Sequence, residues 1–177
     1  MAEPEPEPEP DGLLVPGANW VGRFEWERLI RRCRLGFYEG KTRDPKRWVP
    51  HATVQHVALV LATYADLDGT RVRPSAKRVA HVCELDERKV RACITHLRQS
   101  MLLELVRPAR GPGRSGGPGR PAEFRMSVPD DLLERLAYLD PDEQVVVVPT
   151  GAQMPPERKP RRPKEDAPPG QGAVDIS

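Results

Sequence analysis

Residues 74–119, PSAKRVAHVCELDERKVRACITHLRQSMLLELVRPARGPGRSGGPG, decide how this chain is read. Ser75 is a helix N-cap residue and predicts a helix over 76–83. Asp86 is a second N-cap and predicts a helix over 87–100, with Glu87 complementing the dipole at its start. Only Glu84 to Asp86 separate the two helices, and Leu85 supplies the apolar side chain that a packed turn requires. Val79, Val82, Leu85, Val90, Ile94 and Leu97 are spaced to hold the pair together. Met101 and Leu102 then lead into a strand over 103–107. Glycine, proline and arginine dominate 108–121, which is therefore expected to be mobile on its own. Beyond it, Ala122, Phe124 and Met126 alternate with Glu123, Arg125 and Ser127, the pattern of a returning strand with one apolar face.

The charge of the chain is concentrated on this stretch. From Arg71 to Arg125 there are 13 Lys/Arg against five Asp/Glu, although the whole chain carries only +2. Such a focus of positive charge favours a polyanionic partner. Two helices joined by a tight turn and followed by a basic hairpin make the layout of a helix-turn-helix with a wing, and its expected target is double-stranded DNA. With Val90, Ile94 and Leu97 facing the core, Arg88, Lys89, Arg91 and Thr95 are left to read base edges, where Arg can pair bidentately with guanine. Lys77 and Arg78 on the first helix, with Arg98 on the second, are expected to bind phosphates and set the docking angle. Arg110, Arg114 and Arg120 in the wing are expected to enter a minor groove. The alternative use of such a unit, as a protein-contact module, needs no cationic excess.

Working outward, residues 51–66 (HATVQHVALVLATYAD) carry apolar side chains around most of a helix, which places that helix at the centre of the core. Asp68–Gly69 predicts a turn, and Pro74 biases the short piece before it toward an extended form. Upstream, Trp26, Leu29, Ile30 and Cys33 form one stripe of a helix predicted over 20–35 and ended by Gly36. Arg28, Arg31, Arg32 and Arg34 form its other side, which fits a solvated face or, as the alternative, contact with phosphates. Residues 36–50 are expected to be a connector. Their Gly40-Lys41-Thr42 lacks the glycine at position 35 and the preceding strand that a phosphate-cradling loop needs. Downstream, Pro129–Asp130 caps a helix predicted over 131–139, with Leu132, Leu133 and Leu136 inward. The run Val145–Val148 fits either an edge strand or a partner contact. Alternating Glu and Pro at the N-terminus and the proline-rich, basic C-terminus predict disordered ends.

Other chemistry is poorly served. His81, Cys83, Cys93 and His96 match no zinc spacing, and the two cysteines are expected to pack between the helices. Tyr38, Tyr64 and Tyr138 are scattered, and no nucleophile–base pattern or paired carboxylates occur. No enzyme activity, cofactor or metal is expected. Three cysteines without a short pairing spacing, an acidic N-terminus without a leader-like apolar region and the lack of a spanning run predict a cytoplasmic protein with no membrane partner.

The segments 57–69 (VALVLATYADLDG), 72–75 (VRPS) and 85–98 (LDERKVRACITHLR) resemble the winged helix-turn-helix DNA-binding proteins of high-GC bacteria, including those of phages, plasmids and integrating elements. The resemblance covers about 57–128, under half the chain. It implies a winged fold and DNA binding. Where that family often has Ser-x-Arg-Thr at the start of the second helix, this chain has Asp86, Glu87, Arg88 and Lys89, and its wing is long and glycine-rich. The target sequence is therefore not implied.

The expected fold is mainly α: a winged helix-turn-helix with a three-helix core and a β-hairpin wing, an extra N-terminal helix, a C-terminal helix and disordered ends. The expected division is an acidic tail over 1–18, helix and connector over 19–50, the DNA-binding domain over 51–140 and a proline-rich tail over 141–177. The expected function is sequence-specific DNA binding as a transcriptional regulator, with replication initiator or replisome organiser of a mobile element as the alternative. A second copy of the chain and replication or transcription proteins are the further partners considered.

Overall fold

The computed structural model describes residues 18–40, 43–111, 119–140, 142, 146–150 and 152–156. Residues 1–17 of the expected acidic tail (1–18), most of the expected proline-rich tail (141–177), Lys41, Thr42 and the centre of the expected mobile wing, 112–118 with Arg114, lie outside the described residues.

Strand β1 (Ala18–Trp20) precedes helix α1 (Arg23–Arg32), and the short strands β2 (Cys33–Arg34), β3 (Phe37–Tyr38) and β4 (Trp48–Val49) follow. Helices α2 (His51–Ala62), α3 (Ala76–Cys83) and α4 (Glu87–Gln99) come next. The hairpin of β5 (Leu103–Arg107) and β6 (Glu123–Pro129), the short helix α5 (Leu132–Arg135) and strands β7 (Ala137–Leu139) and β8 (Val146–Val147) complete the described chain. The strands form antiparallel sheets in the orders β1-β6-β5, β2-β7-β8 and β3-β4. At 40% helix and 23% strand, the described residues make a mixed α/β fold. This corrects the mainly-α, winged three-helix architecture expected from the sequence. The correction comes from strands two or three residues long, too short to show an alternating pattern, which are defined by distant partners.

Local signals worked where their hydrogen bonds are local. The Ser75 side chain accepts from the Arg78 backbone N–H, and Asp86 accepts from that of Arg88, so α3 and α4 begin at their sequence-marked caps. Glu84 closes α3 in the left-handed conformation (φ 54°). Val79, Val90 and Leu97 are fully buried between the helices as expected, whereas Val82 is half exposed and Ile94 only partly covered. Cys83 and Cys93, one residue on from Val82 and one before Ile94, take the deeper positions. Helix α2 buries Val54, Val57, Ala58, Leu61 and Ala62. It stops at Ala62 rather than Asp66 because Thr63, Tyr64 and Ala65 bond back three residues and tighten the last turn. Gly69 turns the chain at φ 78°, where a Cβ would collide with the Val21 carbonyl oxygen.

The segments flanking the core depart further from expectation. The N-terminal helix covers 23–32, not 20–35: Trp20 pairs with Ser127 at one end, and Cys33 with Tyr138 at the other. The connector is a hairpin, with Phe37 opposite Val49 and Tyr38 opposite Trp48. The C-terminal helix is a single turn, because Ala137–Leu139 is drawn into a sheet between β2 and β8; Leu132 is buried but Leu133 is 59% exposed. Val146–Val147 is the edge strand of that sheet, one of the two roles the valine run allowed. On strand β6, Glu123 and Ser127 are buried as well as Phe124 and Met126, so the alternation does not divide it into one apolar and one solvent face. Trp26, Ile30, Leu35, Phe37 and Val49 belong to one buried cluster with the residues of α2, α3 and α4.

Candidate nucleic-acid interface

Helix α4 presents Arg88, Arg91, Thr95 and Arg98 as an exposed stripe at helical spacing. Its opposite side is anchored by Val90, Cys93 and Leu97. Lys89 belongs to neither: it is partly buried and turns toward the β3–β4 hairpin. Arg88 Nη2 lies 3.4 Å from Glu39 Oε2, and Arg91 Nε 3.0 Å from Glu87 Oε1. Both guanidiniums are at least 70% exposed. The Arg91–Glu87 pair is exposed on both sides and holds its side chain by no more than about 1 kcal/mol, so a phosphate or base can displace that carboxylate, whereas Glu39 is mostly covered.

Lys77 and Arg78 are exposed in the first turn of α3. Among the described residues, neither they nor Lys89, Arg98 or Arg110 make a salt bridge. Thr95 and Arg98 share with Leu103, Glu104 and Leu105 of β5 the lining of a cavity of about 390 Å³, which places the base of the hairpin beside the second half of α4.

The hairpin is longer than its named strands. Arg110 and Arg120 exchange two backbone hydrogen bonds, 2.9 and 2.8 Å long, so the ladder is re-formed next to the tip. Between this bridge and the β5–β6 ladder, the Glu123 carboxylate lies 3.0 Å from Arg73, 3.3 Å from Arg120 and 3.9 Å from Arg107, with a side chain only 9% exposed. One acid thus gathers three guanidiniums from the α2–α3 loop and both hairpin strands, and a net positive charge is left there. Arg120 is therefore partly engaged by Glu123, while Arg110 makes no salt bridge among the described residues.

Sequence reasoning missed Glu123 as an organiser, because its alternation placed that residue on the solvent face. It also missed Lys46, Arg47 and Glu39 beside α4. A signal for the first two existed: Asp44-Pro45 is a cap followed by a proline at the first helical position, and it does open a 3-10 turn over Pro45–Arg47.

His96 lies on the side of α4 away from the stripe, stacked on Phe37 with ring centroids 4.3 Å apart. Its Nε2 is buried without a partner. Burial pushes the imidazole down to about 4, against a smaller opposing effect of a hydrogen bond with the Leu35 backbone. The folded state therefore keeps His96 neutral where the unfolded chain protonates it. The stability it contributes is fully present above about pH 6.5 and is lost as the pH falls toward 4. Between about pH 7 and pH 4.5 the wild type is expected to lose about 2–3 kcal/mol more than His96→Phe, which keeps the stack. Denaturant unfolding of both proteins at the two pH values measures this. Parallel losses would show that His96 is readily protonated in the fold. Taking the difference removes His51, whose imidazole is also lowered, by burial and then by Arg34.

Cys83 and Cys93 are buried free thiols, pushed up by burial, the latter to about 11. Among the described residues, no three His, Cys, Asp or Glu side chains converge as a metal-binding group, and no helix is long and apolar enough to cross a membrane. No protein-family model, curated protein or solved structure matches this chain.

Proposed function

We propose that this protein binds double-stranded DNA through α4, with α3 and the β5–β6 hairpin as supports. The observation that carries the proposal is the exposed stripe of Arg88, Arg91, Thr95 and Arg98 on α4, with Lys77 and Arg78 exposed in the first turn of α3 and without a carboxylate partner among the described residues. A helix of 13 residues is about 20 Å long, and its width fits the major groove. In this reading Arg88, Arg91 and Thr95 meet base edges, and Lys77, Arg78 and Arg98 meet phosphates. Arg110 and Arg120 lie along an adjoining groove. Lys89, turned aside, contributes charge rather than base readout.

Titration of duplex DNA at several salt concentrations tests the assignment. Arg88→Ala is expected to lose about 1–3 kcal/mol on the specific site and to flatten sequence preference. Lys77→Ala is expected to weaken all duplexes alike and to lower the salt slope by about one. If Arg88→Ala weakens specific and random DNA equally, Arg88 is not a base reader. The cellular role we propose is transcriptional regulation. A genome-wide binding map that shows occupied promoters supports it, and occupancy confined to one origin replaces it with replication initiation.

A further inference from the structure

The β3–β4 hairpin carries two cations that the interface above does not use. Asp44 accepts from the Lys46 backbone N–H at 2.9 Å, and Pro45 opens the 3-10 turn that presents Lys46 and Arg47 to solvent. A 2.9 Å bond from the Glu39 N–H to the Arg47 carbonyl closes the hairpin. Gly40, at φ 92°, lets the chain turn with Arg47 Nη1 only 3.1 Å from where a Cβ would sit, so the guanidinium folds back over the hairpin. Together Lys46 and Arg47 face Arg88 and Lys89, in the first turn of α4, across a cavity of about 390 Å³.

Among the described residues, four cations thus line this notch against one carboxylate, that of Glu39. Glu39 is only half used. Its Oε2 takes Arg88 at 3.4 Å, while its Oε1 is buried with no partner. The Asp86 side chain occupies the Arg88 N–H, so the attraction comes from side-chain cations converging from two elements and not from the helix end alone.

We propose that this notch holds a backbone phosphate of the bound duplex, next to the Arg88 end of the α4 stripe. The inference rests on the DNA reading. Its location supports a polymer phosphate over a free anion. Arg88 belongs to both surfaces, and Lys46 and Arg47 are solvent-exposed. An open cationic surface of this kind gains from a phosphate that a duplex brings at high local concentration.

The test is the double variant Lys46→Gln/Arg47→Gln, titrated with duplex DNA over a range of salt and with inorganic phosphate. Both side chains are exposed and outside the core, so thermal unfolding is expected to be unchanged. DNA binding is expected to weaken about tenfold at roughly 100 mM salt, with the salt slope lowered by about one, for specific and random duplexes alike. Wild-type protein that binds no DNA removes the proposed function and the notch with it. Wild-type binding together with an unchanged Kd and slope in the variant overturns the notch alone. Phosphate binding that depends on Lys46 and Arg47 while DNA binding does not would make the notch a small-anion site, which also overturns the inference.

Discussion

Trp26→Ala is expected to destabilise the protein by about 3–5 kcal/mol, a large share of the roughly 5–15 kcal/mol that holds a domain folded. Trp26 is fully buried on α1, and its indole N–H donates to the Leu102 carbonyl at 2.8 Å. That carbonyl lies at the junction of α4 and β5, so one side chain ties the N-terminal segment to the helix and hairpin of the candidate interface. Truncation removes the largest buried ring and opens a cavity. It also leaves the carbonyl with only the longer 3.3 Å bond from the Ser127 N–H. Trp26→Phe keeps much of the apolar volume and is expected to be milder by about 2 kcal/mol or more. Urea unfolding followed by circular dichroism compares the three proteins. An unchanged midpoint for Trp26→Ala would mean that α1 unfolds apart from the rest, and that the single buried cluster is not one cooperative unit.

Changing Lys77, Arg78, Arg98 and Arg110 together to Gln is expected to weaken duplex binding by about a hundredfold or more and to lower the salt slope by roughly three to four. Non-specific DNA binding of about 10⁻⁴–10⁻⁶ M arises from several phosphate contacts, which puts each near 1 kcal/mol. These four side chains are exposed and make no salt bridge among the described residues, so no native pair is broken by their loss. Thermal stability is accordingly expected to stay within about 1–2 kcal/mol of wild type, at most about 0.5 per exposed substitution. Fluorescence titration at four or more salt concentrations gives affinity and slope together. A variant that binds with full strength and an unchanged slope would place the DNA-binding surface elsewhere or remove it.

What the sequence by itself determined were the elements whose hydrogen bonds are local. Ser75 and Asp86 mark the starts of α3 and α4 because each cap closes on a backbone N–H two or three residues away. The core positions Val79, Val90 and Leu97, and the exposed row Arg88, Arg91, Thr95 and Arg98, follow from the 3.6-residue period of the same helices. The tertiary structure alone decided the segments whose partners are distant in the chain. Cys33 is extended because it pairs with Tyr138, and Trp20 leaves the helix because it pairs with Ser127. Ala137–Leu139 leaves a helix begun at Leu132 for the same kind of reason, since its unpaired backbone groups find a strand on each side. Glu123 reads as a solvent-facing residue in a period-two pattern, yet it is buried, with Arg73, Arg107 and Arg120 converging on its carboxylate from three separate parts of the chain. Lys46 and Arg47 were legible as a capped turn, but nothing local says that this turn stands beside Arg88. That juxtaposition comes from Phe37 stacking on His96 and from Val49 entering the core, contacts between residues far apart along the chain.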